Sequence, residues 1–274
     1  MDKGLEFTPR EERDNWRQKH PLLRARSLGE GFVCFHTQKL KQQDVELAIR
    51  DRKSIEIDAN IWGPETGDFP PNTVVSSHHP WALVFGRDLH IPSRKELISP
   101  DEIIAQVQDK EVFVKFDIKS PRAIPWVIEN ARRIPPHLRM AHAFVSELLY
   151  SYKGIQGHQA SEYLTLKDVD KLRQELEGIP FQLSCRGVSL EDIQFKTGES
   201  YPVVDRLCQA VKGYGEVINF NLLDNKRQPR EIAYYVWRKH GLMTEVKLDK
   251  GETPALGSPY LGGTDHIELA TPIS

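Results

Sequence analysis

Glu56 and Asp58 stand two residues apart in SIEIDANI, and Lys115, Asp117 and Lys119 repeat that spacing in VFVKFDIKS. Alternate side chains of an extended strand share a face, so each charged set projects to one side. Ile55, Ile57, Val114, Phe116 and Ile118 project to the other. Gathering like carboxylates on a buried face is costly unless a cation or a hydrogen-bond network neutralises them. Glu56, Asp58 and Asp117 offer three hard oxygen donors, a set suited to Mg²⁺ or Ca²⁺, with water and a phosphate oxygen completing the shell. The same residues have a second reading, a buried ion network in which Glu56 and Asp58 pair with Lys115 and Lys119. A third gives Lys115 or Lys119 the part of a Schiff-base amine or electrophile in a sugar-phosphate isomerase or aldolase.

Two further segments carry histidine. His36 closes the run FVCFH, and TVVSSHHP supplies His78 and His79. Taken singly, each is more often a satisfied polar residue than a catalyst. Two imidazoles beside a metal-held phosphate, however, form an acid–base pair, one serving the nucleophile and the other protonating the leaving oxygen.

The elements that must position these residues alternate short β-rich runs with amphipathic stretches. Strands are expected at 32–36, 54–61, 112–120, 139–145, 181–185, 216–223, 242–249 and 265–271. Helices are expected at 44–52, 99–110, 125–134, 165–178, 202–215 and 229–241. Ser99 before Pro100, Thr165 three residues before Asp168, and Gly178 and Gly241 just past helix ends supply the punctuation. This alternation predicts an α/β fold, a single (β/α)8 TIM barrel spanning 31–274, preceded by a polar N-terminal arm over 1–30. In such a barrel, reactive residues sit at the C-terminal ends of strands. Pro64, Pro70, Pro71, Pro80 and Pro92 exclude regular helix from the long loop 62–98 after the second strand.

Composition excludes several classes. The chain has 274 residues, 37 Lys+Arg against 39 Asp+Glu and a formal net charge of −2, so no bulk basic surface draws it to nucleic acid. No run has the length of a transmembrane segment, and the N-terminus has no signal-like apolar core, which predicts a cytoplasmic protein unless it is exported by a non-classical route. Cys34, Cys185 and Cys208 fit neither a disulfide framework nor a zinc pattern.

The ordered set His36, Glu56, Asp58, His78, Asp117 and Lys119 resembles that of the glycerophosphodiester phosphodiesterase-like barrels. There, a histidine follows strand one, an ExD pair lies on strand two, a second histidine sits in the next loop and an acid on strand three. The interval from His36 to Glu56 and Asp58, and the DxK pair Asp117–Lys119, are similar to those of the sphingomyelinase D branch. KFDIKS is similar to a segment of the menorin-type proteins, whose A-H-P-P motif resembles Ser77-His78-His79-Pro80 and favours His78 over His79. GGTDHIELATP resembles the last barrel strand of these enzymes. The chain departs from the glycerophosphodiesterases proper in placing Thr37 after His36 and in lacking Glu-Asn-Thr.

The resemblance implies metal-dependent phosphodiester cleavage. Mg²⁺, or Ca²⁺, would sit on Glu56, Asp58 and Asp117, with His36 and His78 as acid and base. Lys119, Lys115 and His79 would face the substrate, a phosphodiester small molecule or a lysophospholipid-like molecule. A catalytically silent barrel that binds a phosphorylated ligand or partner is the alternative from another class. Other residues carry milder expectations. His142 is expected as a hydrogen-bonded wall residue, Glu147 as a neighbour of the mouth, Glu245 and Lys247 as an inward pair, and Asn219 and Asn221 as similar polar wall positions. Arg132, Arg133 and His137 should form a solvated face and Cys34 a small core residue. Trp62, Phe69, Trp81 and Phe85 would anchor the long loop or make a transient membrane-surface contact.

Overall fold

In the computed structural model, residues 33–35, 41–61, 74–76, 98–149, 163–189, 191–193, 201–222, 230–248, 252 and 260–264 are described. The N-terminal arm, His36, His78, His79, the aromatic residues of the long loop and the segment 265–271 lie outside the described residues.

The strands are β1 (Val33–Phe35), β2 (Ser54–Ile61), β3 (Val74–Ser76), β4 (Phe113–Ile118), β5 (Arg139–Leu149), β6 (Phe181–Val188), β7 (Val217–Leu222), β8 (Met243–Leu248) and β9 (Tyr260–Thr264). They form one sheet in the order β1-β9-β8-β7-β6-β5-β4-β2-β3, and the additional pairing of β1 with β2 closes it. All pairs around the ring are parallel. β3 lies outside the ring, antiparallel to the C-terminal end of β2, with Ala59 opposite Ser76. The fold is therefore a closed eight-stranded parallel barrel with helices between its strands, the architecture expected from the alternation.

Three elements differ from expectation. The strand that closes the ring is Tyr260–Thr264, just before the segment expected to do so. β3 is a strand inside the proline-rich loop. β5 also runs to Leu149, past its expected end, with a register shift against β6 between Phe144 and Leu149. A second shift separates Cys185 from Val188 on the β6–β7 edge. Such irregularities at a barrel rim re-aim side chains near the mouth.

The helices are α1 (Gln42–Arg50), α2 (Pro100–Val107), α3 (Ile124–Ala131), α4 (Leu166–Glu175), α5 (Pro202–Val211) and α6 (Arg230–His240). Capping boxes start two of them where the sequence signals lie. Ser99 Oγ accepts from Glu102 N at 3.2 Å while the Glu102 carboxylate accepts from Ser99 N at 2.8 Å, and Thr165 and Asp168 repeat the exchange. Gly178 takes φ 76° beyond α4, and its N–H donates back to Arg173 O at 2.8 Å, which ends the helix.

Ile55, Ile57, Val114, Phe116, Ile118 and Leu183 face outward against Ile103, Ile104, Val127 and Leu172 of the helices, all essentially inaccessible. Val33, Ala233, Val246, Leu248 and Tyr260 form a second cluster beneath α6. Near the floor, buried Arg139 donates to the carbonyls of Ala131, Ile134 and Leu176, tying α3, the following turn and α4 to β5. On the outer ring, Asp205 of α5 accepts from Tyr235 and Lys239 and meets His240 at 2.6 Å, locking α5 to α6. Among the described residues, no helix is long and apolar enough to cross a membrane.

Candidate functional site

The outward apolar parity forces the alternate residues of each strand into the lumen. Register places Glu56 opposite Lys115, Asp58 opposite Asp117, Asp117 opposite His142 and His142 opposite Gln182. Glu56, Asp58, Lys115, Asp117, His142, Gln182 and Ser184 are all buried.

A first chain of contacts crosses the barrel. Lys115 Nζ lies 2.6 Å from Glu56 Oε2 on the adjacent strand and 2.9 Å from Glu245 Oε2 on β8. β4 and β8 are not neighbours in the ring, so this bridge runs through the interior. Gln182 Nε2 donates to the same Glu245 carboxylate from β6. Gly263 of β9 leaves room for that carboxylate, because a Cβ at this position would collide with Glu245 Oε1. Burial on its own would lower the Lys115 pKa, but the Glu245 and Glu56 carboxylates outweigh it and hold the ammonium well above the ordinary lysine value. For Glu245, burial pushes upward and Lys115 pulls further downward, leaving the carboxyl at about 2.

A second chain lies toward the C-terminal ends of the strands. Lys119 contacts Asp117 through Oδ2 and lies 3.3 Å from Asp58 Oδ1. Burial opposes its charge, yet Asp117 and Asp58 raise its pKa above the usual range. Asp117 turns its other oxygen to His142, Oδ1 to Nδ1 being 3.1 Å, and His142 Nε2 lies 2.6 Å from Ser184 Oγ. Nearer the rim, the Arg186 guanidinium stacks 4.4 Å above the Phe144 ring, with Lys119 6.0 Å from the same ring.

The ion pairs read from the sequence, Lys115 with Glu56 and Lys119 with Asp58, are both present. The structure also brings Glu56, Asp117 and His142 together, with one donor atom from each within 4.8 Å of the others, a cluster able to hold a metal ion. Two carboxylates and an imidazole are donors suited to a divalent ion. Ligands across a Mg²⁺ ion are about 4.2 Å apart, and those across a Ca²⁺ ion up to about 5 Å. Among the described residues, four carboxylates (Glu56, Asp58, Asp117 and Glu245) share the lumen with two ammonium groups, so a divalent ion there is electrostatically favoured. Asp58, one of the three expected ligands, leans on Lys119 and is not part of the cluster.

His142 is the hydrogen-bonded wall residue expected, through Ser184, and also contacts Asp117; sequence reasoning missed Ser184, Gln182 and Arg186. His142 shares the alternating parity of RMAHAFV, the one available signal. Glu147, near the C-terminal end of β5, is exposed and accepts from Leu166 N at 3.0 Å, capping α4. Glu245 points inward as expected but pairs with Lys115, while Lys247 is exposed. Asn219 is half-buried, and the side chain of Asn221 lies outside the described residues. Arg132, Arg133 and His137 are exposed and Cys34 is buried, as expected.

Neither a protein-family model nor a curated protein sequence matches this chain. Among solved structures, it is similar to N-(5'-phosphoribosyl)anthranilate isomerase from Pyrococcus furiosus, with a TM-score of 0.45 and 8% identity over 88% of this chain and 94% of that one. It is similar to orotidine 5'-monophosphate decarboxylase from Methanocaldococcus jannaschii, with a TM-score of 0.39 and 14% identity over 86% and 91% of the two chains. A glycerophosphoryl diester phosphodiesterase from Parabacteroides distasonis gives a TM-score of 0.24 and 9% identity over 82% and 92%. At these values the likenesses carry nothing about what this chain binds or transforms; the closed strand order is what defines the barrel.

Proposed function

We propose that this barrel is a metal-dependent phosphodiesterase acting on a small phosphodiester or a lysophospholipid-like molecule at the C-terminal mouth. The observation that carries this reading is the convergence of Glu56, Asp117 and His142 on the lumen faces of three adjacent strands, β2, β4 and β5, beside the Lys119 ammonium. The order His36, Glu56, Asp58, His78, Asp117, Lys119, which resembles the glycerophosphodiester phosphodiesterase-like barrels, supports it. A bound divalent cation would draw a non-bridging phosphate oxygen and offset charge building in the transition state. Lys119 and Arg186 would hold the remaining phosphate oxygens, supplying locally the attraction that a chain of net charge −2 lacks overall. Lys115, clamped by Glu245, would keep the Glu56 carboxylate in place. His36 would take the proton of the attacking hydroxyl, and His78, with His79 beside it, would give one to the leaving oxygen.

A panel of phosphodiesters assayed with and without EDTA tests the reading. Activity should vanish on chelation, return with added divalent ion, and fall on the order of 10²–10⁴-fold in His36→Ala. Activity indifferent to both treatments would exclude the mechanism.

A second reading, a metal-dependent sugar-phosphate isomerase or aldolase, draws on the same three donors, and the imidazole among them favours it. Its Schiff-base variant is disfavoured, because Lys115 and Lys119 are held protonated by their carboxylate partners and a protonated amine cannot attack a carbonyl. Borohydride trapping with carbonyl substrates should accordingly label neither lysine.

A further inference from the structure

We infer that His142 is itself a metal ligand through Nδ1, its ring set by Ser184, so that the site takes first-row transition dications in preference to Mg²⁺. This rests on the reading of Glu56 and Asp117 as metal ligands and specifies the ion they accept.

Three observations converge. First, His142 Nδ1 is only 3.1 Å from Asp117 Oδ1, yet among the described residues it has no hydrogen-bond partner. The distance would suit a hydrogen bond, but a ring proton on Nδ1 would not lie along the line to the carboxylate. Two ligand atoms each about 2.1 Å from one ion and at right angles to it stand about 3 Å apart, so the separation is that of adjacent ligands in one coordination shell. Second, Nε2 lies 2.6 Å from Ser184 Oγ. With Nε2–H donating to that hydroxyl, Nδ1 carries the lone pair, the tautomer a metal-bound imidazole needs. Ligating histidines almost always donate their second ring N–H in this way. Third, the ring is buried, with only 6% of its side chain accessible, so its orientation is fixed by packing against Phe144 as well as by Ser184.

An imidazole in place of a third carboxylate changes the affinity order. Mg²⁺ binds nitrogen poorly and keeps its waters, whereas Mn²⁺, Fe²⁺, Co²⁺ and Zn²⁺ accept mixed nitrogen and oxygen donors. Asp58 lies outside these three donors and contacts Lys119.

Mn²⁺ is the probe, added to the full chain and followed by pulsed electron paramagnetic resonance, which detects nitrogen bound directly to the ion. The expected result is a bound Mn²⁺ with ¹⁴N modulation, lost in His142→Gln, and a requirement for at least about tenfold more Mg²⁺ than Mn²⁺ to compete. Circular dichroism checks that His142→Gln is folded. If it is not, Ser184→Ala provides the second reading, with the nitrogen signal retained and Mn²⁺ affinity reduced about 10- to 100-fold. Mn²⁺ bound without nitrogen coupling, coupling that persists in His142→Gln, Mg²⁺ competing as an equal, or an unchanged affinity in Ser184→Ala would each overturn the inference while leaving Glu56 and Asp117 as oxygen ligands. Failure of the wild-type chain to bind Mn²⁺ at all would overturn both the inference and the metal-dependent function.

Discussion

Replacing Lys115 by methionine should remove about 3–5 kcal/mol of folding stability at neutral pH, measured by urea denaturation, although the side chain is close to isosteric. Glu56 and Glu245 both terminate on this ammonium, and without it a buried and a partly buried carboxylate lose their cation. A domain of ordinary stability holds only about 5–15 kcal/mol in total, so the variant should sit near the edge of folding. The pH dependence identifies the cause. In the native chain the depressed carboxyl of Glu245 contributes stability that is fully present above its ordinary value of 4.5 and is lost as pH falls toward 2. The raised pKa of Lys115 contributes stability fully present below 10.5 and lost as pH rises above that value. The pair thus supports a plateau between these limits. In Lys115→Met only Gln182 and His142 remain to oppose the burial of Glu245, so its carboxyl pKa rises and the deficit should shrink as pH is lowered from 7 toward 4. A loss below about 1 kcal/mol, or a deficit independent of pH, would show that the bridge across the barrel does not hold it together.

Asp117→Asn should do the opposite, keeping the fold while losing function. Asp58 and Asp117 are register partners on adjacent strands and share one ammonium, so neutralising Asp117 relieves like-charge repulsion and leaves Lys119 its contact with Asp58. Stability should therefore change by less than about 1 kcal/mol in either direction. Turnover should fall on the order of 10³-fold, a loss of about 4 kcal/mol of transition-state stabilisation, because a neutral amide is a weak metal ligand and orients Lys119 poorly. Steady-state kinetics beside a denaturation curve would show this split. A variant that unfolds, or one that keeps its turnover, would reduce Asp117 to a structural ion-pair partner.

The contrast between these residues marks what was legible in the sequence. Strand parity alone placed Glu56, Asp58, Lys115 and Asp117 on the inward face, because it is a local property of two short segments. Helix starts were equally local, since Ser99 and Thr165 cap within their own first turn. Closure was not local. Tyr260–Thr264 contains two adjacent glycines and shows no alternating pattern. A Cβ on Gly262 would press on Leu248 at 2.8 Å and Val33 at 3.0 Å, and one on Gly263 would meet Glu245. Close approach of other strands, invisible until the ring is built, selects these residues. For the same reason Glu245 could be seen as inward-facing but not as the partner of Lys115, which is brought to it only by the curvature of the barrel. His142 looked like any wall histidine because Asp117 and Ser184 flank it from different strands. β3 was hidden because three residues between prolines carry too little pattern to show an antiparallel pairing.

The most direct test of the central claim is a crystal structure of the full chain soaked with Mn²⁺ and phosphate, with anomalous scattering recorded at the manganese edge. One anomalous peak should lie within about 2.0–2.3 Å of Glu56, Asp117 and His142, with phosphate on its outer side toward Lys119 and Arg186. Contradiction would be a lumen without anomalous signal in which Lys115 and Lys119 still bridge the carboxylates, leaving Glu56, Asp117 and His142 as parts of an ion network that fills the barrel.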